Sequence, residues 1–303
     1  MSYPKRVKVV EVGPRDGLQN EPVTVAVSSR VQFIEALADA GLKTVECGSF
    51  VSPKWVPQMA DTAAVLRQVN RVPGVAYAVL VPNLKGLELA MESGAEEVAV
   101  FGSASELFSQ HNINCSIAES LSRMGELSQV ALARGIKVRG YVSCALGCPY
   151  EGNVAPKAVA RVAAALAGMG CYEISLGDTI GVGTPAKARA MLSEVAERVP
   201  ISRLAAHFHD TWGQALANVL ACLEMGLAIV DSAAAGLGGC PYAKGASGNL
   251  ATEDLLYMLH GMNIETGVQF DKVAAAGWDM CNLLEKLPSA KAALAWKAGQ
   301  PGS

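Results

Sequence analysis

Short runs of β-branched and aliphatic residues recur along the chain, each followed by a turn and then by apolar positions three and four apart. A buried parallel strand reads as a nearly continuous apolar run, and an amphipathic helix shows the wider period. The first run, residues 7–12, ends in GPRDGLQNEP. After it Val31, Ile34, Leu37 and Ala38 mark one helical face, opened by Ser28 or Ser29 and stopped by Gly41. Further strands are expected at 43–47, 76–81, 97–101, 136–143, 172–176, 203–209 and 228–233. Helices are expected at about 84–93, 117–134, 156–168 and 185–199, from the seventh strand to about 225, and from Thr252 onward. Thr184 and Pro185 form a helix start, a hydroxyl N-cap followed by proline at the first helical position. His111 and Asn112 fall in a longer loop after the fourth strand.

Strand and helix alternate through eight units at a spacing of roughly 30 residues, with no need for a second sheet, which predicts the α/β class and a closed (β/α)8 TIM barrel. One catalytic domain is expected over 1–303, with the barrel at about 7–261 and a helical extension at about 270–298, built from helices near 271–286 and 289–297. An open doubly wound sheet is the alternative. It is disfavoured because the first βα turn lacks the G-x-G-x-x-G pattern that cradles dinucleotide phosphates.

The chain has 303 residues, 51% of them hydrophobic, enough to bury one large core. A net charge of −3, with 17% charged residues and no basic block, gives no electrostatic support for nucleic-acid binding. No stretch approaches ~18 uninterrupted apolar residues, so no membrane span is expected. The eight cysteines lack C-x-x-C spacing, and the N-terminus runs into a strand without an apolar leader. Free thiols and a cytoplasmic location follow as expectations.

In such a barrel, reactive groups gather where the strands end at their C-terminal face. Arg15 and Asp16 follow the first strand, Glu46 ends the second, and Asp178 follows the sixth. His207 and His209 end the seventh, and Asn249 closes the loop after the eighth. Residues two apart on a strand share a face, so the two imidazoles read as half of a metal site; one core histidine and one loop histidine is the bland alternative. Asp16 adds a carboxylate, and Asn249 could add an amide oxygen. This mixed set with open positions suits Mg²⁺ or Mn²⁺ better than structural zinc, although imidazole leaves room for Zn²⁺, Co²⁺ or Fe²⁺. Arg15, permanently charged, could hold a developing enolate oxygen, or it could be a surface arginine paired with Glu46 or Asp178. Those two acids could orient the arginine or a metal-bound water, or form a structural ion pair. Residues 236–249 contain five glycines and Cys240, the pattern of a mobile lid carrying an acid or base, although a loop cysteine is more often inert. Cys144 and Cys148 take no assignment.

Three segments, GPRDGLQNE, HFHDTWGQALAN and GLGGCPYAKGASGNLATED, together resemble the 3-hydroxy-3-methylglutaryl-CoA lyase family, in order and spacing from about residue 7 to 287. The R-D-G-x-Q turn with H-x-H marks the wider metal-dependent aldol and Claisen enzymes of this barrel, and the G-L-G-G-C-P-[YF]-A loop narrows the likeness to the lyases. The resemblance implies a divalent cation, Mg²⁺ or Mn²⁺, held by Asp16, His207, His209 and Asn249. It implies a CoA thioester substrate, bound to the cation through its 3-hydroxyl and carboxylate oxygens and cleaved in a retro-Claisen step to acetyl-CoA and acetoacetate. Arg15 looks like the enolate stabiliser, and Cys240 like the loop cysteine that assists proton transfer. Glu46 and Asp178 match acidic residues of the family's site, and Gln19 and Ser49 lie where they would contact substrate or support Arg15. Pro22 stands where many members carry a lysine for the coenzyme's phosphates; Lys54, Lys85 and other face-loop cations could compensate, and the sequence does not choose among them. Leucine breakdown, ketone-body formation and a homodimer or larger homo-oligomer are further expectations. The rivals are a synthase condensing acetyl-CoA with a 2-oxo acid, a lyase for longer-tailed 3-hydroxyglutaryl-CoA, a pyruvate-releasing aldolase and a catalytically dead barrel. The dead barrel is disfavoured because no ligand of the motif is missing.

Overall fold

Runs of valine, isoleucine and alanine form strands because both of their faces are covered, one by the barrel interior and one by helices. In a computed structural model, which describes residues 3–239 and 248–300, eight parallel strands close into a barrel in sequence order, β8 pairing back onto β1. They are β1 (Lys8–Glu11), β2 (Thr44–Ser49), β3 (Ala76–Leu80), β4 (Glu97–Ser103), β5 (Lys137–Ser143), β6 (Glu173–Asp178), β7 (Leu204–Phe208) and β8 (Ile229–Ser232). Outside them lie α1 (Val27–Asp39), α2 (Thr62–Gln68), α3 (Leu84–Glu92), α4 (Glu106–Ile113), α5 (Ile117–Ala133), α6 (Pro156–Gly168), α7 (Pro185–Ala196), α8 (Ala215–Leu223) and α9 (Thr252–Gly261). The chain continues through α10 (Phe270–Leu283) and α11 (Lys291–Ala298). The TIM barrel expected from the alternating pattern is the observed fold.

Alternation along the strands sorts their side chains. Val138, Val142, Ile174, Leu176 and Leu204 join the apolar layer beneath the helices. Arg139 and Tyr141 of β5, Glu173 and Ser175 of β6, His207 of β7 and Asp231 of β8 bond to one another inside the barrel.

Several local expectations shift. Helix α1 begins at Val27 rather than at Ser28 or Ser29, capped by extended Ala26, because Val27 packs on the core and draws the start forward. Helix α2, which the pattern did not place, buries Thr62, Val65 and Leu66, too short a face to show a clear period. His111 and Asn112 lie in α4 rather than in a loop, since Ser105 caps that helix by accepting the Phe108 N–H at 3.0 Å. Thr184 is at the N-cap of α7 but makes no side-chain cap bond; Pro185, with φ preset, carries the start. Strand β2 runs on through Ser49, with a bulge between Glu46 and Gly48. Strand β6 runs on to Asp178.

Candidate active site

After β1 the backbone widens into a single π-helical turn, Gly13–Gly17, in which the Gly17 N–H bonds Val12 O at 3.2 Å. Turns of this kind concentrate at functional sites because they reorient side chains within one turn. The buried Glu11 carboxylate fixes the entry, accepting the Gly13 N–H at 2.8 Å and the Ala234 N–H at 2.9 Å. Arg15 and Asp16 are thereby set at the end of the barrel.

Asp16 is the meeting point. Its Oδ1 accepts Arg15 Nη1 at 2.5 Å, and its Oδ2 accepts Asn249 Nδ2 at 3.0 Å. The same Oδ2 lies 3.7 Å from His207 Nε2 and 3.5 Å from His209 Nε2. One ligand atom from each of Asp16, His207 and His209 falls within 4.8 Å of the others. Burial alone would raise the Asp16 carboxyl, but Arg15 and the two histidines hold it well below the usual carboxylate range.

His207 is oriented from behind. Its Nδ1 faces Asp231 Oδ2 at 3.1 Å, which turns Nε2 toward Asp16. Asp231 in turn accepts Arg139 Nη1 at 3.0 Å, Arg139 Nη2 at 2.6 Å and Ser175 Oγ at 2.7 Å. Against burial, Arg139 and His207 hold Asp231 below the usual range. Burial works to lower His207, yet Asp16 and Asp231 raise it to about 9. The field at Nε2 therefore favours positive charge. Two imidazole nitrogens and a carboxylate oxygen in such a field fit a divalent cation.

Arg15 is only 6% exposed, which removes the surface-arginine alternative. Its Nε donates to Glu46 Oε2 at 2.5 Å, and Glu46 Oε1 accepts the Tyr141 hydroxyl at 3.2 Å. Burial opposes the charge, but Glu46 and Asp16 push the guanidinium pKa above its ordinary value. Of the pairing partners considered from sequence, Glu46 is the observed one.

The remaining expected residues divide. Ser49 Oγ reaches Gln19 Oε1 at 3.5 Å, so these two meet beside the Arg15 turn. Asn249 reaches the site, where its Nδ2 bonds Asp16 and also Leu237 O at 3.1 Å. Asp178 is buried, and its oxygens accept the Val182 and Gly183 N–H groups at 3.2 and 2.8 Å, shaping its own loop. Burial raises its carboxyl pKa. Cys240 lies outside the described residues. Sequence reading missed Asp231, Arg139 and Tyr141. The available signal was a charged or hydroxyl-bearing residue interrupting an apolar strand at an inward position, as at Arg139 and Tyr141, two apart in strand five.

A family model described as HMGL-like matches residues 6–279. The chain is 59% identical over 294 residues to the mitochondrial hydroxymethylglutaryl-CoA lyase of Bos taurus, covering 97% of this chain and 90% of that protein. It is 57% identical over 292 residues to the cytoplasmic 3-hydroxy-3-methylglutaryl-CoA lyase of Rattus norvegicus, covering 96% of this chain and 85% of that protein. The crystal structure of hydroxymethylglutaryl-CoA lyase from Pseudomonas aeruginosa superposes with a TM-score of 0.97 at 56% identity, covering 99% of this chain and all of that one.

Proposed function

The chain belongs to the HMGL-like family, and from that premise we infer that it is a carbon–carbon lyase cleaving 3-hydroxy-3-methylglutaryl-CoA to acetyl-CoA and acetoacetate. The observation that carries this reading at the site is Asp16, one carboxylate shared by Arg15 and the two histidines.

The reaction is redox-neutral. A base takes the 3-hydroxyl proton, so that the proton lost there balances the one gained at C2, and C3 becomes the ketone of acetoacetate. The C2–C3 bond breaks, its electron pair becomes the enolate of acetyl-CoA, and that enolate takes a proton at C2. Asp16, His207 and His209, with Asn249 as a fourth member, would hold a divalent cation, Mg²⁺ or Mn²⁺. Such an ion supplies Lewis-acid stabilisation to oxygens that gain charge. Arg15 meets the thioester oxygen as it becomes an enolate, where a preorganised buried cation acts without reorganisation. Glu46 and Tyr141 fix the guanidinium, and Asp231 fixes His207. Gln19 and Ser49 border the substrate beside Arg15. Cys240 is assigned to proton delivery at C2. Asp178 supports the site through its 178–183 turn.

We further propose a cytoplasmic location. Seven free, buried cysteines among the described residues fit a reducing compartment. No helix among those residues is long and apolar enough to cross a membrane.

The test is product analysis with 3-hydroxy-3-methylglutaryl-CoA in Mg²⁺ or Mn²⁺ and again after EDTA. Equal amounts of acetyl-CoA and acetoacetate, lost on chelation and restored by added cation, support the reading. No cleavage by folded protein with either metal would overturn it, and faster cleavage of a longer-tailed analogue would shift the substrate.

A further inference from the structure

The polar contacts at the site close into a ring. Asp16 Oδ1 accepts Arg15 Nη1 at 2.5 Å, and Arg15 Nε donates to Glu46 Oε2 at 2.5 Å. Glu46 Oε1 accepts the Tyr141 hydroxyl at 3.2 Å, and the Tyr141 oxygen accepts Arg139 Nη1 at 2.7 Å. Arg139 clamps both oxygens of Asp231, whose Oδ2 meets His207 Nδ1 at 3.1 Å. His207 Nε2 then returns to Asp16 Oδ2 at 3.7 Å. Carboxylates and guanidiniums alternate around this circuit, with the Tyr141 hydroxyl and the His207 imidazole as its two remaining links.

We propose that Tyr141 is a positioning residue for the lyase reaction, its hydroxyl coupling the Arg15–Glu46 arm to the Arg139–Asp231 arm that aims His207. The proposal rests on the lyase reading. A hydroxyl both donates and accepts, so it joins an acceptor-only carboxylate to a donor-only guanidinium while each keeps its own counter-ion. The ring of Tyr141 supports the same two arms: its centroid is 5.4 Å from Arg15 Cζ, 5.0 Å from Arg139 Cζ and 5.6 Å from the His207 ring. The reaction needs the enolate oxygen at Arg15 and the rest of the substrate beside the histidines at once. The spacing between the arms is therefore a catalytic coordinate, and a shift of about 1 Å in such a coordinate can cost on the order of 100-fold in rate. Tyr141→Phe removes the coupling and keeps the packing.

The experiment is a double-mutant cycle of Tyr141→Phe and Arg15→Gln, read as kcat and KM, with Mn²⁺ affinity measured by electron paramagnetic resonance on the same samples. Tyr141→Phe is expected to lower kcat by about 10–100-fold, with KM and the Mn²⁺ dissociation constant within about threefold of wild type. In the Arg15→Gln background the same change should cost less than about twofold, because the arm it steadies is already gone. Asp231→Asn should instead weaken Mn²⁺ binding by about 10–100-fold, since it releases the back of His207. If Tyr141 only fills the barrel, Tyr141→Phe will leave kcat unchanged, or will cost the same factor in both backgrounds. Either result overturns the proposal while a working wild type keeps the lyase reading. A wild type that does not cleave the thioester removes both.

Discussion

Asn249 donates both to Asp16 Oδ2 and to Leu237 O, so it holds one oxygen of the shared carboxylate while Arg15 holds the other. Asn249→Ala would free Asp16 to swing toward Arg15 alone. The expected outcome is a loss of Mn²⁺ affinity of about 10–100-fold, measured by titration calorimetry, with the fold intact. Residue-level legibility tracked chemistry. His207 and His209 stood out as a spaced pair, and the motif marked Arg15 and Asp16. Asp231 and Arg139 did not, because a strand buried on both faces is read as an apolar run and a single acid within it carries no period. Their role appears only when β5 and β8 face each other across the barrel.

Among the elements, the turns that hold the site depend on buried carboxylates. Glu11 accepts the Gly13 and Ala234 N–H groups and the Thr252 hydroxyl, and Glu253 accepts the Ala235 N–H with both oxygens at 2.8 Å. Ala235 has φ +60°, so this turn is held against a backbone preference. Burial raises Glu11 to about 7 and Glu253 to about 8, from an ordinary value of 4.5. An acid whose pKa is raised by folding keeps its proton longer in the folded chain, so its contribution is full below pH 4.5 and is lost as pH rises through 7 to 8. Glu11→Gln and Glu253→Gln should therefore flatten the fall in melting temperature between about pH 5 and 8.5, seen in thermal melts across that range. Strand β2 makes a second case. A Cβ on Gly48 would lie 2.5 Å from Thr62 Oγ1 and 2.8 Å from Arg30 Nη2, at the bulge that follows Glu46. Gly48→Ala is expected to destabilise by about 1–3 kcal/mol in chemical denaturation, and to lower kcat as Glu46 shifts beneath Arg15. Element types were largely legible because long apolar runs alternate with helical faces. Helices α2 and α4 escaped because seven or eight residues present little more than two turns of period.

Across the whole molecule, the barrel brings together residues separated by more than 230 positions, as in the Asn249–Asp16 contact. A cation seated among Asp16, His207 and His209 would therefore tie both ends of the closed sheet. Ligand bound only to the folded state at 100 times its dissociation constant adds about 2.7 kcal/mol. Mn²⁺ should raise the wild-type melting temperature by several degrees and leave that of His207→Ala unmoved, as differential scanning calorimetry would register. The TIM barrel was readable from sequence because its repeat is strict; the closed order β1 through β8 bears this out. The interior ring of charge was not readable, since no local pattern specifies which inward positions meet.

The most direct test of the account separates its two halves at Asp16, by measuring Mn²⁺ affinity and acetoacetate release on the same preparations of wild type, Arg15→Gln and His207→Ala. Arg15→Gln should bind Mn²⁺ within about threefold of wild type while kcat falls by about 10²–10³, and His207→Ala should lose Mn²⁺ binding together with turnover. Full turnover in Arg15→Gln, or undiminished Mn²⁺ binding in His207→Ala, would contradict it.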